Sequence, residues 1–217
     1  MVDDPKVAII IDDVGYNQEL TGELLAIPFP LTWAILPFAP YSEAYRETAL
    51  EHGMEIIMHL PLEAAGRWNN PGPGAIKGEW TDSKIREQLE TDLRAIPGVA
   101  GINNHMGSIG TQDQRLMEIL MEELKRRNLF FVDSMTHARS VAEKYAVLNG
   151  VPFARRQVFI DNQPEPESQK KALRHLIQLA RKEGTAIGIA HARPGSIRAI
   201  AGMMAEFVKA GVKIVPV

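Results

Sequence analysis

Apolar residues along this chain follow two alternating rhythms. Short continuous runs, of the kind that fill a buried strand, are separated by longer stretches in which apolar positions recur every three or four residues, the period of a helix packed on one face. The first run, 7–11, ends abruptly in Asp12 and Asp13, with Gly15 just beyond. Neighbouring side chains on a strand point to opposite faces, so two adjacent carboxylates share a site only if the strand ends and the chain bends there.

The same reading predicts further strands at 31–36, 55–60, 98–103, 129–132, 157–160 and 185–190, with an eighth at 212–217. Helices are predicted at 17–26, 42–52, 83–95, 112–127, 141–148, 165–183 and 196–210, bounded by capping residues, prolines and glycines. One irregular segment, 61–80, breaks the alternation. It is rich in Gly, Pro and Asn and holds Trp68 and Trp80, which favours an ordered, functional loop.

Seven or eight β-α units imply a parallel sheet with helices outside it. Both a closed barrel and an open doubly wound sheet satisfy this pattern. Nearly every predicted strand, however, ends in a polar residue: Asp12 and Asp13, His59, His105, Asp133, Asp161, His191. A barrel brings all those ends to one mouth, whereas an open sheet brings together two or three. The expected architecture is an irregular (β/α) barrel of seven or eight units, forming a single domain over residues 1–217.

Composition narrows the classes. A chain of 217 residues, 45% hydrophobic and 24% charged, is large enough to fold on its own core, so any metal would serve chemistry. With 24 Lys and Arg against 27 Asp and Glu, nothing suggests a nucleic-acid footprint. The absence of cysteine removes disulfides, thiolate ligands and cysteine nucleophiles. No apolar run reaches the roughly 18 residues of a transmembrane helix. An extracytoplasmic location is expected, with any leader removed before residue 1. Oligomeric state is open.

Two histidines and a carboxylate on a rigid rim, in a protein without cysteine, make the ligand set of a catalytic zinc or another divalent metal. Asp13, His59 and His105 are the expected ligands, and Asp133 with His137 is the second choice. His52 and His175 read as surface residues. Asn103 and Asn104 suit either hydrogen bonds to a ligand or loop shaping, Asp161 either orientation of His191 or Arg193 or a helix cap, and Trp68 and Trp80 either stacking on a ligand or packing of their own loop.

The stretches IDDVG, HLPLE, GINNHMGS, DSMT and IAHARP, in that order, resemble the divergent polysaccharide deacetylase family, a distant relative of the NodB-type carbohydrate deacetylases. The resemblance covers essentially the whole chain. It implies an irregular (β/α) barrel that removes acetyl groups from N- or O-acetylated sugars with a divalent metal, usually zinc. Residue by residue, it implies Asp12 as general base, Asp13 as metal ligand and His191 as general acid. Asn104, Trp68, Trp80, Asp133, Asp161 and Arg193 are the candidate contacts to a carbohydrate substrate. The ordinary deacetylases draw both metal histidines from one His-x-x-x-His segment, which this chain lacks, so here His59 and His105 come from separate strands. A catalytically silent glycan-binding protein on the same scaffold is the alternative. A metal-dependent hydrolase of another class, such as a phosphodiesterase, would be expected to carry more basic residues at the mouth than Arg139 and Arg193.

Overall fold

The computed structural model describes residues 4–66 and 69–217. Trp68 lies outside the described residues. Strands β1 (Lys6–Val14), β2 (Thr32–Ile35), β3 (Glu55–Leu62), β4 (Gly101–Met106), β5 (Phe130–Asp133), β6 (Phe153–Arg155), β7 (Val158–Phe159) and β8 (Thr185–His191) form one sheet in the order β6-β5-β4-β3-β2-β1-β8-β7, with every pair parallel. The two strands at the ends of that order, β6 and β7, are consecutive in the chain and separated only by Arg156 and Gln157. The sheet therefore curls into an irregular barrel whose seam is a two-residue link. Helices α1 (Leu20–Leu25), α2 (Ser42–Glu51), α3 (Asp82–Ala95), α4 (Gln114–Arg127), α5 (Ala142–Asn149) and α6 (Pro166–Glu183) make the remaining connections between staves, and α7 (Pro194–Lys209) follows β8.

Two strand expectations need correction. The three residues of β6 are too few for an alternation to register, so periodicity passes over them. The expected strand at 212–217 contracts to β9 (Lys213–Ile214), which pairs with the start of β1 and is not a stave.

Burial follows strand parity. On β1, Ile9 and Ile11 face the outer helices with Trp33 of β2, while Ile10 joins Ala34, Ile57, Val132 and Ile189 in the barrel interior. Two residues past the interior residue on their strands come Asp12, His59, Ser134 and His191. The apolar filling of the barrel thus gives way to a polar layer at the carboxyl ends of the strands, where barrel active sites lie.

The long loop after β3 is ordered where it is described. Ile76 bridges to Leu62 and is fully buried, and Trp80 packs partly buried against the core formed by α3, α4 and the neighbouring strands. Beneath Gly74, Asp92 of α3 is completely buried. Its Oδ1 accepts a hydrogen bond from Gln88 at 2.8 Å, its Oδ2 has no partner, and burial pushes its carboxyl up to about 7. A carboxyl whose folded-state pKa is raised binds its proton more tightly when folded. Stability is then lost as pH climbs from about 4 to about 7, by up to about 4 kcal/mol, and stays lost above that range. Asp92→Asn is accordingly expected to raise the thermal midpoint by about 5–10 °C at pH 8 and to change it little at pH 4, as followed by circular dichroism.

Candidate metal and catalytic site

Asp12 and Asp13 share the mouth because β1 breaks its register between Ile11 and Val14. Asp13 adopts φ 59°, the left-handed conformation that aspartate tolerates better than most residues. The kink cancels the parity that would otherwise send Asp13 outward.

Asp13, His59 and His105 converge. Oδ1 of Asp13 lies 3.0 Å from Nδ1 of His105 and 3.3 Å from Nε2 of His59, and the two ring nitrogens are 3.1 Å apart. That oxygen is buried and accepts no well-aligned hydrogen bond. Three donor atoms so close, one an orphaned carboxylate oxygen, fit a small cation. Tetrahedral ligands at bond lengths of about 2.0–2.1 Å stand roughly 3.3 Å from one another. The electrostatics agree. Burial works against the charge of Asp13, but His105 and His59 outweigh it and hold the carboxyl well below its usual range. Burial likewise opposes a charged His59, yet Asp12, Asp13 and Asn103 raise it to about 8, so the carboxylates are drawing a positive charge into this spot.

Asn103 organises the centre. Its Nδ2 donates to Oδ1 of Asp12 at 2.7 Å and, more weakly, to Oγ of Ser134 at 3.3 Å, while its Oδ1 lies 2.8 Å from Nδ1 of His59. An ionised carboxylate only accepts, so the amide nitrogen must face Asp12 and the amide oxygen must face His59. His59 therefore carries its proton on Nδ1 and keeps the Nε2 lone pair for the cation, which is the usual way a neighbouring group sets a ligand's tautomer. Asp12 is buried beside it, with Oδ2 3.7 Å from His59 Nε2. Burial pushes its carboxyl up, against the pull of His59 and Asn103.

His191 pairs in register with Asp12 across β1 and β8. Asp161 grips it twice, with Oδ1 3.0 Å from Nδ1 of the ring and Oδ2 accepting the His191 backbone N–H at 2.9 Å, and Ser196 Oγ donates to the same Oδ2 at 2.6 Å. The ring is stacked on Phe159, with centroids 5.5 Å apart, and the Arg156 guanidinium lies 4.2 Å over the same Phe159. Burial would lower the His191 pKa, but Asp161, helped by Asp13 and Asp12, raises it. Asp161 itself, despite burial, is lowered by His191 and Ser196. Both oxygens of Asp161 are thus engaged, Oδ1 by the His191 ring and Oδ2 by the His191 backbone and Ser196.

Other candidates are engaged elsewhere. Asn104 is buried, with its amide nitrogen on Met106 O and Thr136 Oγ1 and its oxygen accepting the Ser134 N–H. Asp133, by parity opposite to the interior-facing Val132, accepts from Met135 N and Ser140 Oγ. His137 Nδ1 accepts from Arg139 N. Neither Asp133 nor His137 belongs to the cluster of candidate cation ligands found among the described residues, which is Asp13, His59 and His105. Trp80 is partly buried against the core, with Lys84 Nζ 4.1 Å over its ring. Arg193 is exposed at the N-cap of α7. Sequence reasoning did not single out Ser134, Phe159 or Arg156, and weighed Asn103 only as a sugar or loop residue. Their signal is parity: Asn103 lies two positions before His105, and Ser134 two after Val132.

Comparisons with known proteins come to bear here. Residues 9–217 match the sequence profile of the divergent polysaccharide deacetylases. An uncharacterized protein of Haemophilus influenzae is 36% identical over 192 residues, which cover 88% of this chain and 68% of that protein. The crystal structure of an uncharacterized protein from Agrobacterium tumefaciens superposes with a TM-score of 0.93 at 26% identity, covering 98% of this chain and 87% of the other. A wild-type Bacillus anthracis protein described as a CE4 family pseudoenzyme is similar in fold, with a TM-score of 0.58 at 15% identity over 99% of this chain and 64% of that one. Likeness at that level speaks to fold alone. The match across residues 9–217 shows that this chain belongs to the divergent polysaccharide deacetylase family.

Proposed function

We propose that this protein is a metal-dependent hydrolase that removes acetyl groups from an acetylated carbohydrate. The observation that carries the reading is the convergence of Asp13 Oδ1, His59 Nε2 and His105 Nδ1 beside the buried carboxylate of Asp12, whose Oδ2 lies 3.7 Å from His59 Nε2. The three ligands suit zinc or another divalent ion, which when bound would polarise the acetyl carbonyl and acidify water.

The chain's own residues supply the remaining chemistry. Asp12, with Oδ1 held by Asn103, presents Oδ2 as the base that takes a proton from the attacking water. Its burial, by raising the pKa, makes it a better base. His191 keeps its Nδ1 proton on Asp161 and offers Nε2 to protonate the departing amine or alkoxide as the C–N or C–O bond breaks. No helix among the described residues is long and apolar enough to cross a membrane. The extracytoplasmic location belongs to the same proposal.

The test pairs elemental analysis of the purified protein with acetate release from acetylated glycans. One divalent ion per chain and release that stops on chelation and returns with metal are expected. A metal-loaded protein that releases acetate from no glycan would overturn the reading. Within it, Asp161→Asn is expected to lower turnover by about 10- to 100-fold. Because Asp161 raises the His191 pKa, the alkaline limb of the pH profile should also move to lower pH. Stopped assays across pH 6–9, an interval spanning the histidine range, would read both effects.

A further inference from the structure

Three of the large hydrophobic residues exposed among the described residues, Tyr16 at 56%, Phe38 at 41% and Tyr41 at 38%, sit on just two loops. Those loops follow β1 and β2, adjacent staves, at the end of the barrel that carries the catalytic groups. Exposed apolar residues scattered singly need no explanation, but a cluster beside a polar cleft does.

The loops are fastened together. Leu36 N–H donates to Val14 O at 3.0 Å and Tyr41 N–H to Gly15 O at 2.9 Å, and Tyr45 Oη donates to Asn17 O. A Cβ at Gly15 would stand 2.8 Å from the Ala39 Cβ, so this approach requires glycine, as does its φ of 125°. The loop after β3 closes the arrangement from behind. A Cβ at Gly72 would lie 3.8 Å from Tyr16 Oη, and one at Gly74 would lie 3.0 Å from the Phe38 ring, so glycine backbone backs these two aromatics. Tyr16 is three residues from Asp13, which keeps its Cα within about 10 Å of that ligand.

We propose that Tyr16, Phe38 and Tyr41 form a stacking platform for sugar residues flanking the one that reacts. This inference rests on the carbohydrate reading above. Pyranose rings present C–H faces and hydroxyl edges, and an aromatic ring with its negative face, or a tyrosine with its polar tip, matches both. Rings on a rim already fixed by backbone bonds lose little freedom on binding. The exposed aromatic area, roughly 300 Å² in all, is well short of the ~800 Å² a side of a stable protein interface, which argues for a small flat ligand over a protein partner.

The experiment compares the hexamer and the monomer of N-acetylglucosamine, by calorimetric binding and by acetate release, in the wild type and in Tyr16→Ala/Phe38→Ala. Both side chains are solvent-facing, so the fold should tolerate their loss. The expected result is a wild-type preference for the hexamer that falls by about 10- to 100-fold in the double variant, with monomer turnover unchanged. Acetate release with no length preference, or a preference that survives in the variant, overturns the platform and leaves the deacetylase reading standing. Hexamer binding that depends on the two rings without acetate release from either sugar sinks the deacetylase reading and leaves the platform. A hexamer that is neither bound nor deacetylated overturns the platform.

Discussion

Asp12→Asn is expected to lower acetate release by about 10²- to 10⁴-fold while leaving metal content and the circular dichroism spectrum unchanged. The size follows from placement. Asp12 is 2% exposed, one of its oxygens is held by Asn103, and the other faces His59 at 3.7 Å, while the adjacent carboxylate, Asp13, is taken up by His59 and His105. Asn fills the same volume and keeps a group for Asn103 to bond, which separates loss of a base from loss of structure. Retention of more than a tenth of wild-type activity, measured at saturating substrate, would remove Asp12 from the proton transfer.

The second large effect is at the cation. Asp13→Asn is expected to weaken metal binding on the order of 10²-fold or more and to abolish activity at ordinary metal concentrations. Asparagine is the informative replacement, because it tolerates the left-handed conformation that Asp13 adopts while removing the charge. The loss would then belong to the ligand set and not to a broken turn. Titration of metal into the stripped protein, read by calorimetry, gives the affinity directly. Unchanged affinity would leave Asp13 without the role its position beside His59 and His105 suggests.

Most of the architecture is legible in the sequence because strands and helices announce themselves through different periods. The uninterrupted aliphatic run of β1 and the amphipathic stripe of α4 are both recovered to within a few residues. The illegible parts are short. β6 has three residues and completes no recognisable pattern, whereas the strand expected at 157–160 is found as β7, so the seam between the two emerges only when the sheet is closed. At the site, a polar residue near a strand end is a weak signal until parity is applied. Asp12, His59, Asn103, His105 and His191 share the inward phase, while Asn104 and Asp133 fall on the opposite phase and serve their own loops. Asp13 also has the wrong phase, and only the break of register in β1 rescues it. That break leaves its trace in sequence as Gly15, whose need to approach Ala39 was not separable from an ordinary turn.

The left-handed backbone at Asp13 also constrains how this chain can change over time. Glutamate preserves the charge but is poorly suited to the turn, and glycine preserves the turn but carries no ligand. Of the single replacements that respect the backbone, asparagine departs least from the original shape, and it gives up the carboxylate. The path of least resistance away from the present sequence therefore leads to a folded protein with an intact cleft and one fewer anionic ligand, so that the proposed cation site is more easily lost by drift than the fold that houses it.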